Sequence, residues 1–495
     1  MDILHYAWYK SQDEVEPSMS TIAVVTKGSN DPDSSARKAL ESMRVPQDNE
    51  SKIVVEGDTA IGFVGSLAST GKRLVLKDLE KGSRISMIGT SELLDNSRFN
   101  HDHLGIEKNM DWIPNVLDTL SRSATGQMSG WSLVGASQDK LLGGRDIIGQ
   151  CPLFWGENTE YIGIASCRKA LWSLGIHLVS SIPEGVIAEF GGNLQSARKI
   201  GKLSKPISRP LNMDETASEL LKLVHTSVKA ASQDSKRVGI LFSGGLDSSI
   251  IAAVAASLGL KTSLYTAAFE DSSDAVSAEK AAALLGLKLE VETLSVDEAG
   301  DILRKVIWDI ESCDSVQVCV GMPIEAATRA AAREGEKLVL TGSGADELFG
   351  GYSKYLNAYR VSGVKEVEGM MFQDVVGLGK RDLLRDGAIG EANRVKLIAP
   401  FLDLSLARFG LNIPLELKVQ GTSDKLRKRV LRRASEMMGM PKEMVNTQKN
   451  AAQYSSKSLA VAKKLAKREC LDLQSYLQSI FNHFFPDHLE TGEEN

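Results

Sequence analysis

The sequence predicts an α/β fold in two unlike parts: antiparallel β layers over residues 1–205, then a doubly wound parallel sheet over residues 206–495. Three observations predict it. Short β-type runs with few helical stretches fill the first part. Strands alternate with alanine-rich helical stretches in the second, as a parallel sheet requires. Between an apolar run at 238–242 and a helix-like run at 250–256 stands Ser243-Gly244-Gly245-Leu246-Asp247-Ser248-Ser249, a strand, loop and helix in series.

In chain order, the β-type runs of the first part are 21–25, 53–55, 60–64, 73–76, 131–135 and 161–165, spaced as in stacked antiparallel sheets. Turn signals from Pro183-Glu184-Gly185 to Pro206-Ile207-Ser208-Arg209-Pro210 mark the boundary, within residues 177–215. Strands then follow at 238–242, 262–267 and 337–340, separated by alanine-rich helices at 277–285 and 323–333. From about Met371 the pattern is helical to the end, with residues 490–495 frayed.

The loop at 243–249 has the chemistry of a phosphate site. Gly244 and Gly245 let the backbone approach phosphate oxygens, and Ser243, Ser248 and Ser249 add hydroxyl donors. The next helix offers unpaired N–H groups and the positive end of its dipole. Asp247 is the expected Mg²⁺ ligand. The Gly-Lys-Ser/Thr ending of a Walker A loop is absent, and the alternative is a tight strand-to-helix turn with incidental serines. A second glycine-rich loop, Thr341-Gly342-Ser343-Gly344-Ala345-Asp346-Glu347-Leu348-Phe349-Gly350-Gly351-Tyr352, directly follows the strand at 337–340. Ligands of parallel sheets bind at the carboxyl ends of strands, so this loop is expected to face the first, with Asp346 as second Mg²⁺ ligand.

Composition excludes several classes. A hydrophobic share of 42% with 25% charged residues is that of a globular chain long enough for two or three cores. A net charge of -6 gives no footprint for nucleic acid. The basic run Lys425-Leu426-Arg427-Lys428-Arg429 sits in a helical pattern and is read as a solvated helix face. Five scattered cysteines form no metal or disulfide pattern, which points to the cytoplasm. No stretch is long and apolar enough to span a membrane, and the acidic N-terminal residues do not read as a signal peptide.

The first loop resembles the pyrophosphate loop of the ATP pyrophosphatase enzymes, which activate a carboxylate or carbonyl as an adenylate. With the second loop and with Arg385-Asp386, Pro400-Phe401-Leu402-Asp403 and Gln448-Lys449-Asn450-Ala451, the second part resembles the synthetase domain of the asparagine synthetase family. The resemblance implies a sheet of the adenine nucleotide α-hydrolase-like type. It implies ATP contacts at Leu241, Ser243, Gly244, Gly245, Leu246, Asp247, Ser248, Ala267, Asp274, Thr341 and Gly342, and charge stabilisation by Lys449. Physically, a single flexible ammonium suits a site where negative charge shifts. Glu311 and Asp314 fall on a family segment near the cleft.

The first part resembles the family's class II glutamine amidotransferase domain, of Ntn-hydrolase-like fold. Arg145-Asp146-Ile147-Ile148-Gly149-Gln150-Cys151-Pro152-Leu153 and Ile164-Ala165-Ser166-Cys167-Arg168-Lys169-Ala170-Leu171 carry that likeness. The N-terminal cysteine nucleophile is missing. Ser20, in Met19-Ser20-Thr21-Ile22, takes its place behind eighteen residues and Met19, and Ile88-Gly89-Thr90-Ser91-Glu92 replaces a glutamine-holding stretch. A hydroxyl without its activating amine is a poor nucleophile, so a degenerate glutaminase domain is expected; the alternative is exposure of Ser20 by processing. Two departures touch the synthetase site: Ser343 stands where the family usually has glutamate, and Ile398 where it commonly has arginine. Serine is no carboxylate base, so ammonia arrives deprotonated or Glu347, Glu311 or Asp314 accepts the proton.

The expected activity is an ATP- and Mg²⁺-dependent ligase that adenylates a carboxylate, foremost the aspartate β-carboxylate, and transfers ammonia to give asparagine, AMP and pyrophosphate. Amidation or ring closure of another carboxylate, as in β-lactam synthetases, and a non-catalytic nucleotide-binding scaffold are the alternatives. Lys449, Asp346 and Glu347 are the expected catalytic residues, with a homodimer and an external ammonia source as implied partners.

Overall fold

Alternation along short strands builds two antiparallel sheets, and the computed structural model shows how their faces are spent. It describes residues 20–26, 31–43, 51–56, 59–64, 77–79, 83–89, 130–137, 140–191, 193–204, 211–232, 235–269, 272–421, 423–447 and 456–487. The first sheet runs in the order Val179–Ser181, Phe154–Glu157, Tyr161–Ala165, Ser20–Thr26, Thr59–Val64, Ser51–Glu56. The second runs Asn193–Lys199, Val186–Gly191, Lys140–Arg145, Trp131–Ser137, Ser83–Gly89, Lys77–Leu79. Successive side chains on one strand serve opposite faces. Ile162 and Ile164 pack with Val134, Leu141 and Phe190 of the second sheet, and Trp155 lies 4.5 Å from Phe190 between ring centroids. Phe154 and Ala165 instead meet Ala39 and Leu40 of the helix Pro32–Met43, and Leu171 of the helix Arg168–Trp172. The expected run at 73–76 lies outside the described residues.

The second part is a five-stranded, wholly parallel sheet in the order Lys288–Leu294, Lys261–Phe269, Arg237–Leu241, Leu338–Leu340, Lys396–Ile398. It is wound on both faces. Val238, Ile240, Leu338 and Leu340 join a core that includes the helices Met213–Ala231, Leu246–Ser257 and Arg429–Met437. Tyr265, Ala267 and Val339 join another, with Val296–Ile310, Ser315–Arg333, Ser458–Arg468 and Leu473–Phe484. Near-continuous apolar strands are what such double burial demands.

Three details depart from the sequence reading. The helix read at 323–333 begins at Ser315, capped by Asp314, and carries Pro323 inside it. The strand Lys288–Leu294 is an additional sheet member, and Lys396–Ile398 interrupts the helical pattern read after Met371.

Polar and aromatic contacts join the two parts. Arg145, almost wholly buried, donates from Nη2 to the carbonyls of Gly149 and Gly379. Gln150 donates to the carbonyl of Leu402 at 2.8 Å. Glu311, left-handed at φ 54°, accepts the backbone N–H groups of Arg168 at 2.7 Å and Lys169 at 3.1 Å. Trp172 packs edge-on against Phe481, with centroids 6.3 Å apart, and at 4.9 Å from Phe485.

Candidate active site

The strand order fixes where a ligand can sit. From the central strand Arg237–Leu241 the chain winds outward to Lys261–Phe269 and Lys288–Leu294, then returns to the other side with Leu338–Leu340. The direction of winding reverses between Arg237–Leu241 and Leu338–Leu340. At such a reversal the loops leaving two neighbouring strands part and open a crevice at their carboxyl ends. The loops leaving these strands are 243–249 and 341–352.

Their approach is close. A Cβ on Gly342 would stand 2.9 Å from Cβ of Asp247, so glycine lets the second loop rest against the first. Gly245 caps the helix Leu246–Ser257 in extended conformation, and its N–H donates to Ser243 Oγ at 3.3 Å. Leu241 ends the central strand, and Ala267 lies in the neighbouring strand Lys261–Phe269. Thr341 is buried and donates its N–H to the Ile398 carbonyl. Asp274 lies in the first turn of Ser273–Leu285. The fold therefore sets Leu241, Ser243, Gly244, Gly245, Asp247, Ser248, Thr341 and Gly342 at the carboxyl ends of two neighbouring strands, with Ala267 on the adjoining strand, while Leu246 joins the hydrophobic core.

The centre of the crevice is a triad of charges. Lys428 Nζ lies 2.5 Å from Asp247 Oδ2 and 2.6 Å from Asp346 Oδ1. The reading of 425–429 as a solvated helix face is overturned: Lys428 is buried, Arg427 and Lys428 are left-handed at φ 53° and 52°, and the helix begins only at Arg429. Arg432 holds this loop. Its guanidinium donates to the carbonyls of Leu426, Arg427, Val445 and Thr447. A basic run reads as a solvated face because arginines and lysines alternate on it; the signal that could have singled out Lys428 is the pair of distant aspartates needing a cation.

Two carboxylates aimed at one cation position fit Mg²⁺, a hard ion commonly held by one or two carboxylates together with substrate phosphates. Asp247 keeps a buried Oδ1 with no hydrogen-bond partner among the described residues, a further oxygen for such an ion. Among the described residues there is no cluster of three or more His, Cys, Asp or Glu side chains fit to hold a metal without such a substrate. Gly351 makes room for the triad, since a Cβ there would collide with the Asp346 carboxylate and the Lys428 side chain.

Beside it, Glu347 accepts the Tyr352 hydroxyl at 2.6 Å, and burial, with the neighbouring Asp346 charge, pushes its carboxyl up to about 7. Ser343, partly exposed, donates to Asp386 Oδ2 at 3.1 Å. Asp386, part of the Arg385-Asp386 match noted in the sequence, is the carboxylate in contact with Ser343, a pairing the sequence does not show. Glu311 and Asp314 do not fill that role: the first is spent on the contact between the two parts, the second caps Ser315–Arg333. Ile398 is buried in the core. Lys449 lies outside the described residues, but its segment departs from Thr447, whose carbonyl Arg432 binds, and returns at Ser456, whose carbonyl accepts the Phe269 N–H. Ser20 opens the strand Ser20–Thr26, paired with Val64.

Comparison with known proteins bears on this site. The model of the asparagine synthase family matches residues 219–366 and 357–493. A Methanocaldococcus jannaschii protein, provisionally described as asparagine synthetase [glutamine-hydrolyzing] 1, is 34% identical over 299 residues, covering 57% of this chain and 55% of that protein. Asparagine synthetase [glutamine-hydrolyzing] 1 of Saccharomyces cerevisiae is 26% identical, covering 63% and 60%. Asparagine synthetase B [glutamine-hydrolyzing] of Escherichia coli is 27% identical, covering 65% and 59%. The matched region thus spans little more than half the length of these curated relatives.

Proposed function

Because the chain belongs to the asparagine synthase family, we propose that it is an ATP-dependent amide-forming ligase that adenylates a carboxylate, foremost the β-carboxylate of aspartate, and delivers ammonia to it, releasing asparagine, AMP and pyrophosphate. The observation that carries this is the convergence of Asp247, Asp346 and Lys428 between two glycine-rich loops at the switch of strand order. A division at 205/206 into an amidotransferase-like and a synthetase domain goes with this reading.

The roles follow from the chemistry. The 243–249 loop and the N-terminus of Leu246–Ser257 receive phosphate oxygens. Asp247 and Asp346 would hold Mg²⁺, which when bound neutralises phosphate charge and orients the α-phosphate for attack. Lys449 supplies mobile positive charge, and the buried Lys428 fixed positive charge, to the departing pyrophosphate. Attack by the carboxylate oxygen breaks the bond between the α-phosphate and the pyrophosphate; attack by nitrogen on the adenylate carbonyl then expels AMP. The protein contributes chiefly positioning and charge.

The first part is read as a glutaminase-like domain without glutaminase chemistry, so nitrogen comes as free ammonia or from an external source. The five cysteines are free, and a cytoplasmic location is part of this proposal. Among the described residues no helix is long and apolar enough to cross a membrane. A homodimer is the expected assembly.

Aspartate-dependent exchange of pyrophosphate into ATP tests adenylation directly. Exchange should be present in the parent chain and fall at least about a hundredfold in Asp247→Ala, in line with loss of a group aimed at developing charge. No exchange with aspartate would refute the proposed substrate. Ser20→Ala should leave ammonium-dependent turnover unchanged, and a large loss there would restore a role for Ser20 as nucleophile.

A further inference from the structure

One polar cluster in the crevice is left over once phosphate and metal have been placed. Asp386, on the helix Asp382–Ala392, is buried, and both its oxygens are committed. Oδ2 accepts the Ser343 hydroxyl at 3.1 Å, while Oδ1 accepts Arg385 Nε at 2.8 Å and pairs with Nη2 at 2.7 Å. Arg385 is itself pinned, donating to Asp382 Oδ1 at 2.9 Å and Gln317 Oε1 at 3.1 Å. Two carboxylates against one guanidinium leave the cluster net negative. Burial also raises the Asp386 carboxyl above the ordinary range, against the opposing pull of Arg385.

Of this group, Ser343 faces the crevice: it is partly exposed and lies between Gly342, against the phosphate loop, and Asp346 of the central triad. A serine that donates its proton to a fixed carboxylate turns its oxygen lone pairs outward as an acceptor. That suits a ligand with N–H groups and repels one with a second carboxylate. The other candidate acids are engaged elsewhere, Glu347 by Tyr352, Glu311 by backbone N–H groups of the first part and Asp314 by the helix it caps.

We propose that Ser343 receives the nitrogen nucleophile and that Asp386 is its positioning residue and the final proton acceptor, an assignment that rests on the adenylation reading. In the step, the nitrogen lone pair forms the C–N bond and the bond from the carbonyl carbon to the AMP oxygen breaks, its electron pair leaving with AMP. One N–H proton passes to Ser343 Oγ as the serine proton passes to Asp386 Oδ2. The carboxylate for this half of the reaction thus comes from the helix Asp382–Ala392 facing the loop.

Three readouts on the full chain test this: aspartate-dependent pyrophosphate exchange, asparagine formation with ammonium chloride, and hydroxamate formation with hydroxylamine, whose far less basic nitrogen gives up its proton to water once bonded and so needs no positioned acceptor. In Ser343→Ala and Asp386→Asn, exchange should stay within about threefold of the parent. Ammonium-dependent product should fall about a hundredfold, the usual size of a lost proton acceptor. Hydroxamate formation should be retained, the double variant should be no worse than either single one, and Asp386→Glu should recover part of the ammonium rate. Should Asp386→Asn not fold, Ser343→Ala carries the test, since it removes one partly exposed hydroxyl. Exchange falling in parallel with product would make the pair structural, and an unchanged ammonium rate would remove it from the reaction; either overturns the assignment. A parent chain without aspartate-dependent exchange would refute the proposed substrate on which the assignment rests, and overturn the assignment with it.

Discussion

Two aspartates share one ammonium at the centre of the crevice, with the Lys428 side chain only 3% exposed. Removing one partner from a buried set of charges leaves the others uncompensated, at a cost of about 3–5 kcal/mol. Lys428→Met should therefore lower the thermal midpoint by several degrees, and added Mg²⁺ should restore more stability to the variant than to the parent. Equal responses to Mg²⁺ would count against Asp247 and Asp346 as its ligands. Lys428 was hidden in the sequence because four of five residues from Lys425 to Arg429 are basic, and composition cannot say which of them turns inward. Asp386 was in view as part of the Arg385-Asp386 match, but its contact with Ser343, remote in sequence, was not, whereas Asp247 and Asp346 announce themselves by the glycines around them. Another lysine gives a pH test. Burial lowers Lys418 to about 7, so folding releases a proton that the unfolded chain keeps up to about pH 10.4. Between these values the unfolded state binds more protons, and stability rises with pH. Lys418→Met should raise the melting temperature most below pH 7 and least near pH 10, as scanning calorimetry across that range would reveal; a gain independent of pH would mean the lysine is charged in the folded protein.

Loops and strands set the geometry one level up. Adding a methyl group at Gly342 would force the second loop away from Asp247, with an overpacking cost of about 1–3 kcal/mol. Gly342→Ala should reduce pyrophosphate exchange by tenfold or more while far-UV circular dichroism stays that of the parent. Exchange at the parental rate would mean that the loops have slack. The strands bearing the site were legible in the sequence because apolar runs buried on both faces are interrupted sharply by glycine-rich loops. The edge strands were not. Lys288–Leu294 mixes charged residues into its run, and Lys396–Ile398 is three residues long, formed because Leu338–Leu340 offers it a parallel partner. Pro323 misled in another way: proline is favoured in the first turn of a helix, so an alanine-rich stretch behind it reads as a start, yet Ser315–Arg333 accommodates it midway.

At the scale of the molecule, the two parts are joined by directional contacts. Arg145 spends its guanidinium on carbonyls of both, and Glu311 receives two N–H groups at the start of the helix Arg168–Trp172. Glu311→Ala should orphan those donors and cost about 1–3 kcal/mol of stability per lost partner, lowering the thermal midpoint. Limited proteolysis should then release a stable fragment near the boundary; protection equal to that of the parent would show that the aromatic contacts suffice. The motifs around Arg145 and Arg168 stood out in the sequence, but the construction of this seam did not, because it joins residues far apart along the chain.

The packing of Trp172 against Phe481 and Phe485 sets an order of events during synthesis. A tryptophan made early meets phenylalanines made hundreds of residues later, so this stretch of the seam between the two parts closes only near the end of synthesis.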